Sequence, residues 1–108
     1  MYRELMTAKS ITNATETTAN VHLRDFVTVH AIEYKVTGTG TVVITAYTSI
    51  LGQYWINNGV KANGVGATSG PDANGQDIIP MRLKPGEFVR FTVIATGTAV
   101  VTLGFSQK

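Results

Sequence analysis

The segment FVRFTVIATGTAVVTLGF, residues 88–105, decides the fold class. Apolar and polar residues alternate within it on both sides of Gly97, and a period of two places alternate side chains on opposite faces of a β-strand. The spacing predicts two amphipathic strands, with Thr96-Gly97 between them at the spacing of a tight hairpin. The two apolar rows are Val89, Phe91 and Val93, then Ala99, Val101, Leu103 and Phe105.

The same alternation recurs along the rest of the chain, and no helical stripe competes with it. Further rows are Ala19, Val21 and Leu23, then Val42, Ile44 and Ala46, then Ile79, Met81 and Leu83. From these rows we predict a core of Val21, Leu23, Val42, Ile44, Val89, Phe91, Val101 and Leu103.

Between Val27 and Val36 the apolar positions change from odd to even numbers. A one-residue slip would turn every later side chain to the other face, so a β-bulge near Ala31 would keep both halves facing inward. A central strand partly buried on both faces is the alternative, and the pattern leaves it open.

Turn residues divide the chain into short strands. Gly38-Thr39-Gly40 separates two of them, and Lys84-Pro85-Gly86-Glu87 fits a type II turn. Pro80 has no backbone N–H to donate a hydrogen bond to a neighbouring strand, which predicts an edge strand or a strand end there. Further strands are predicted around Lys9–Thr12 and Tyr54–Ile56. We therefore predict an all-β fold of about eight strands, a two-sheet antiparallel β-sandwich of jelly-roll or immunoglobulin-like type.

The whole chain, residues 1–108, is expected to be one such domain. From Asn57 to Asp77 the rhythm breaks, with five glycines and four asparagines. We predict a long loop there and expect it to be the most mobile region of the protein.

Composition narrows the possible functions. Charged residues make up 15% of the chain and sixteen threonines replace them, while the net charge is +2. That charge is scattered, so nucleic-acid binding is not expected. Without cysteine there are no disulfides or thiolate metal sites. Since no signal peptide or membrane-length apolar run is present, we expect synthesis in the cytoplasm and no membrane partner.

Catalytic residues are not indicated. His22, His30 and Asp25 could be combined with a hydroxyl on paper, but no nucleophile elbow, carboxylate pair or phosphate loop accompanies them. A surface histidine and a hydrogen-bonded sheet histidine are the simpler interpretations. We expect a non-enzymatic protein without a cofactor.

A weak calcium-site pattern lies in the glycine-rich segment. Asp72, Asn74 and Asp77 offer three oxygen-bearing side chains around Gly75. The bidentate Glu of an EF-hand is missing, and ordinary turn chemistry uses the same residue types. No metal is therefore expected.

Tyr54 and Trp55 are the only adjacent aromatic residues. Neighbouring strand residues point to opposite faces, so we expect one ring to pack into the sandwich and the other to cover its edge. The alternative is a ligand contact for a sugar, formed by Trp55 with Asn57 and Asp77.

A second apolar row lies on the parity opposite to the core. Exposed apolar surface usually marks a partner, which could be another copy of the chain. We predict a homo-oligomer whose interface uses one outer sheet face. The candidate residues are Val43, Tyr47, Phe88, Ile94 and Val100, and Ile78 shares their parity.

Several stretches carry a resemblance to a known group. These are ITNAT (11–15), EYKVTGTGTVVI (33–44), TSILGQYW (48–55) and KPGEFVRF (84–91). They resemble small β-sandwich proteins of bacteriophage and prophage structural-gene clusters, although an acidic residue often precedes the hairpin glycine there and Leu51 stands here.

The resemblance implies a virion component, a head decoration or tail accessory subunit, with other virion proteins as partners. It transfers no functional residue. A structural subunit acting by self-association and docking is the first hypothesis. A carbohydrate- or surface-binding module is the alternative.

Overall fold

The computed structural model describes residues 2–22, 29–80 and 87–107, except the side chains of residues 2, 29, 30, 60 and 107. These ranges form nine strands, against the roughly eight predicted, and none of them contains a helix able to cross a membrane. The strands are β1 (Tyr2–Thr12), β2 (Thr15–Thr17), β3 (Val21–His22), β4 (Val29–Gly38), β5 (Thr41–Ser49), β6 (Ile56–Val65), β7 (Gln76–Pro80), β8 (Phe88–Thr96) and β9 (Thr98–Gln107).

The strands form two antiparallel sheets. Sheet I has the order β1-β9-β4-β7, and sheet II has the order β2-β8-β5-β6, with β3 also paired to β8. The apolar rows of both sheets are buried between them. This arrangement confirms the predicted all-β sandwich.

The core contains the rows that the alternation predicts. Phe91 of sheet II and Phe105 of sheet I meet with their ring centroids 6.2 Å apart. Leu23 lies outside the described residues. The other seven predicted core residues are all buried, namely Val21, Val42, Ile44, Val89, Phe91, Val101 and Leu103.

The predicted hairpin at Thr96-Gly97 is wrong, because β8 and β9 belong to different sheets. The chain crosses the sandwich at Gly97 and also at residues 38–40, between β4 and β5. The two crossings touch, since the N–H of Gly40 donates to the carbonyl of Thr98 at 2.8 Å. A Cβ on Gly40 would lie 2.6 Å from the carbonyl oxygen of Thr96, so only glycine fits there.

The parity change in β4 does coincide with an irregularity. Val29 pairs with Gln107 and Ala31 with Ser106, so β4 advances two residues while β9 advances one. Beyond this shift Ile32, Tyr34 and Val36 are all buried. A register shift is therefore present near Ala31 as predicted, while the faces of Val27 and of the Val29 side chain lie outside the described part of the chain.

Two strands are longer than predicted. β1 begins at Tyr2 rather than near Lys9. The strand predicted around Tyr54–Ile56 is β6, which begins only at Ile56 but continues to Val65. Both strands contain register shifts, and Ala8 in β1 and Gly59 in β6 have positive φ. These irregularities interrupt the period of two, which is why the sequence pattern misses the strands.

The predicted loop from Asn57 to Asp77 is therefore wrong for residues 57–65, which belong to β6. The connection is shorter, residues 66–75, and hydrogen bonds hold it. Ser69 accepts from the N–H of Gly66 through its Oγ and from the N–H of Gly75 through its carbonyl, and Gly75 in turn accepts from the N–H of Val36. Its high mobility stays a prediction.

Pro80 ends β7, which is an edge strand of sheet I, as its missing N–H predicts. The predicted turn at Lys84–Glu87 and the row positions Met81 and Leu83 involve residues 81–86, which lie outside the described residues.

Candidate functional site

The outer face of sheet II gathers four of the five side chains predicted to form an interface. Val43 pairs with Ile94 across β5 and β8, and Tyr47 pairs with Arg90 four residues along each strand. Phe88 lies on the same side of β8, where partly exposed positions alternate with buried ones. These side chains therefore point away from the core and form one continuous surface.

The fifth predicted interface residue, Val100, lies on the other side of the molecule. It pairs with Ser10 and Thr37 on the outer face of sheet I, where Ile78 is also exposed. The prediction that one outer face holds all five residues is wrong at Val100. The even-numbered residues of both β8 and β9 point outward. Because the two strands belong to different sheets, these residues lie on opposite sides of the sandwich.

Trp55 is anchored on the outer face of sheet II by a cation–π contact. The guanidinium carbon of Arg90 lies 4.3 Å from the centroid of the Trp55 ring. The Nε of Arg90 is buried and has no hydrogen-bond partner among the described residues. A guanidinium with an unpaired buried N–H is an incomplete interaction, and an anionic acceptor would complete it.

Neither aromatic residue of the Tyr54-Trp55 pair packs into the sandwich, contrary to the prediction. Trp55 is half-buried against Arg90, and Tyr54 is 69% exposed. Neither residue is in a described strand, so the alternation argument that assigned their faces did not apply.

The connection between β5 and β6, residues 50–55, is a formed apolar tip. Ile50 and Leu51 are both well exposed, like Tyr54. Ser49 accepts a hydrogen bond from the N–H of Gly52 through its Oγ at 2.8 Å, and its carbonyl accepts from Glu87 at 2.9 Å. These bonds fix the turn that presents the apolar side chains.

His22 lies at the edge of this surface, on the short strand β3. Its ring stacks on Phe88 with centroids 4.7 Å apart, and its Nε2 lies 3.4 Å from Oε2 of the exposed Glu87. Asp25 and the side chain of His30 lie outside the described residues.

The calcium candidates occupy two different elements. Asp72 and Asn74 are exposed in the 66–75 connection, whereas Asp77 belongs to β7. Oδ1 of Asp77 accepts the N–H of Ile78 at 2.8 Å. Within residues 2–22, 29–80 and 87–107 no three His, Cys, Asp or Glu side chains come together as a metal site.

Asp77 acts instead on a buried tyrosine. It pairs with Tyr34 across β7 and β4, and Tyr34 is among the buried core residues. Burial raises the pKa of the Tyr34 phenol, and the negative charge of Asp77 raises this pKa further. The pair favours a neutral phenol at the edge of the core.

The residues of the alternative sugar contact are not all brought together. Asn57 pairs with Tyr47 on the outer face of sheet II, the surface that also carries Trp55. Asp77 lies in sheet I on the side of the inward Tyr34. Any ligand contact at Trp55 therefore has Asn57 nearby but not Asp77.

Sequence patterns missed two polar features. Alternation in β8 marks Arg90 only as an outward polar residue, and its position opposite Tyr47 could have been deduced had the pairing of β5 with β8 been known. Asn58 is buried, and both atoms of its amide lack a partner among the described residues. It lies in the irregular part of β6, where no periodic signal exists.

No protein-family model matches this chain, and no curated protein does.

Proposed function

We propose that this protein is a non-catalytic structural subunit that works by self-association and by docking onto a larger assembly. The class of assembly follows from the sequence resemblance and is a phage or prophage virion, where such subunits decorate heads or tails.

The main support is the surface on the outer face of sheet II. A monomeric sandwich needs one apolar face per sheet, and its outer faces are usually rich in charged residues. Here the outer face presents Val43, Tyr47, Phe88 and Ile94 around the Arg90–Trp55 stack. An apolar centre with an arginine and aromatic rings is typical of interfaces that carry binding energy.

The apolar tip supports docking as a separate step. Its large side chains are exposed, yet the backbone below them is fixed by hydrogen bonds at Ser49. A preformed apolar projection loses little conformational entropy on binding, which favours insertion into a pocket on a partner.

Light scattering at tens of micromolar protein tests the self-association. We expect a mass above that of the monomer, and Ile94→Glu should lower it because a charge would be buried in the interface. Ile56→Glu is the matched control. Ile56 is 51% exposed against 46% for Ile94, but it pairs with the inward Thr48 and does not lie on the outer face.

A monomer mass for the unaltered protein across this concentration range would overturn the proposal of self-association. Equal effects of Ile94→Glu and Ile56→Glu would place the contact elsewhere on the molecule.

A second candidate function is saccharide or surface binding at Trp55 and Asn57, favoured by the partly exposed indole beside an outward amide. Trp55 is the only tryptophan, so its fluorescence reports directly on this site. A saturable change on titration with polysaccharides, lost in Asn57→Ala, would support this candidate. An unchanged spectrum would remove it.

A further inference from the structure

His22 and Glu87 form an exposed nitrogen–oxygen pair at the start of β8. Nε2 of His22 lies 3.4 Å from Oε2 of Glu87, and the two side chains are 47% and 64% exposed. A charge-assisted hydrogen bond between such groups is usually shorter, about 2.7–2.9 Å. Both side chains are therefore accessible to a further binding group, and the contact between them is too long to be a strong ion pair.

The surrounding structure positions both residues. The His22 ring stacks on the ring of Phe88, with centroids 4.7 Å apart and an angle of 19° between the planes. The Phe88 ring is in turn held against the apolar tip, since a Cβ on Gly52 would lie 3.4 Å from its Cε2 atom. The N–H of Glu87 donates to the carbonyl of Ser49 at 2.9 Å. Stacking occupies the face of the imidazole and leaves its edge, where the nitrogen atoms bind ligands, clear of the Phe88 ring.

The spacing of the two atoms matches one edge of a tetrahedral zinc site. Zinc binds imidazole nitrogen and carboxylate oxygen at about 2.0–2.2 Å, so two ligands at the tetrahedral angle lie about 3.4 Å apart. Imidazole nitrogen suits zinc and neighbouring transition metals, whereas calcium and magnesium take oxygen ligands. One chain therefore presents two of the four ligands that a structural zinc site requires.

We infer that two copies of this protein bind one zinc ion between them, each contributing Nε2 of His22 and a carboxylate oxygen of Glu87. A two-fold axis through the metal relates the two halves of the site, and two-fold symmetry is the commonest symmetry of protein dimers. The two carboxylates balance the charge of the ion. This inference rests on the proposed self-association, because the second half of the site comes from another copy.

The position of the pair agrees with the surface proposed for self-association. Phe88, which stacks on His22, is one of the outward apolar residues of sheet II. A metal at this edge has apolar side chains of both copies beside it, and apolar surroundings limit the access of water to a metal site. Metal ligands are directional, so the ion would fix how the two faces are oriented, whereas apolar burial is non-directional.

Sequence spacing could not reveal this pair. Metal motifs are recognised when their ligands lie a few residues apart on one element, whereas 65 residues separate His22 from Glu87. The two residues meet because β3 pairs with the start of β8.

Zinc titration of the untagged protein tests the inference. Calorimetry should find one zinc per two chains, and light scattering should find tighter association in zinc than in excess chelator. At free zinc about ten times its dissociation constant from the paired site, linkage lowers the dissociation constant of the dimer about tenfold. Calcium at the same concentration should have no effect, because the nitrogen ligand does not suit it.

Variants assign the effect to the two ligands. His22→Asn and Glu87→Gln each remove one ligand from both copies and should abolish the difference between zinc and chelator. Both side chains are well exposed, so the thermal midpoints without zinc should stay close to that of the unaltered protein. His30→Asn is the matched control, since it removes the other histidine of the chain and should keep the full zinc response.

The outcomes separate this inference from the proposed self-association. Equal association of the unaltered protein in zinc and in chelator would overturn the zinc bridge and leave self-association standing. A zinc response that survives in His22→Asn, or binding of one zinc per chain, would also overturn the bridge. A protein that is monomeric in chelator and paired in zinc would support the bridge and show that self-association requires the metal. A monomer under both conditions would overturn both proposals.

Discussion

The two ends of the sandwich are built differently. At one end the connections are residues 12–14, 38–40, 66–75 and 96–98, which we call the crossover end. At the other end lies the apolar tip, residues 50–55. The crossover end is glycine-rich and closely packed on itself, whereas the tip exposes large apolar side chains.

Backbone contacts explain the crossover end. Asn13 has a φ of 44° and its Oδ1 accepts the N–H of Gly97 at 2.8 Å. The N–H of Asn13 donates to the carbonyl of the same glycine. Two connections that each cross between the sheets are thereby joined, which makes this end a stabilising part of the fold.

The tip has the opposite character. Hydrogen bonds hold its backbone, but its apolar side chains contribute little burial to the folded chain. The glycine-rich connections of this protein therefore serve stability, while the apolar connection is available for interaction. Substitutions at the crossover end should therefore lower stability, whereas substitutions at the tip should weaken association.

The core between the two ends sets the largest expected effect. Phe91→Ala should lower the free energy of unfolding by about 3–5 kcal/mol, because a fully buried ring against Phe105 leaves a cavity. Denaturant unfolding measures the change. A loss below about 1 kcal/mol would mean that Phe91 is not the core residue described here.

At the crossover end, Gly75→Ala should cost about 2–5 kcal/mol, because strain at positive φ adds to overpacking. Gly75 has a φ of 80°, and a Cβ there would overlap the carbonyl oxygen of Val36. Gly64→Ala is the control, with a φ of 65° and open space around the new methyl. Equal unfolding free energies for the two variants would contradict the close packing of the 66–75 connection.

A smaller effect is expected at Asn13. Asn13→Ala removes the acceptor for the N–H of Gly97 and should cost about 1–2 kcal/mol, since alanine also tolerates positive φ poorly. Asn13→Asp keeps the oxygen and should retain most of the stability in thermal unfolding. Equal thermal midpoints for the two variants would mean that the hydrogen bond from Gly97 to the Asn13 side chain does not contribute to stability.

The smallest effect on stability is expected at the tip. Leu51→Ser should change the unfolding free energy by no more than about 0.5 kcal/mol, because Leu51 is 69% exposed. The same variant should weaken docking to a partner if the tip is an insertion element. A large loss of stability in denaturant would show that Leu51 packs against the fold instead.

Periodicity was sufficient to predict the core but not the topology. Ala95 and Ala99 face inward whether Gly97 forms a hairpin or a crossing, so the alternation cannot distinguish the two. The register shift near Ala31 was predictable because the apolar positions of the sequence change there from odd to even numbers. β6 was not, because Gly59 and its neighbours interrupt the period.

The candidate surface was predictable to a similar degree. Parity identified Val43, Tyr47, Phe88 and Ile94 as outward, and the structure places them on one face. Parity also assigned Val100 to that face, wrongly, because the correct assignment requires knowledge of which sheet β9 joins. The Arg90–Trp55 contact joins a strand to a loop, and such tertiary pairs leave no local pattern.

The position of β9 has a consequence for the order of folding. β9 lies between β1 and β4 in sheet I, and it follows both of them in the chain. While the protein is being synthesised, β1 and β4 must wait without their shared partner until residues 98–107 leave the ribosome. Sheet I therefore closes only after β9 has been made, and ribosome-bound chains that end before Thr98 should expose strand edges to which chaperones bind.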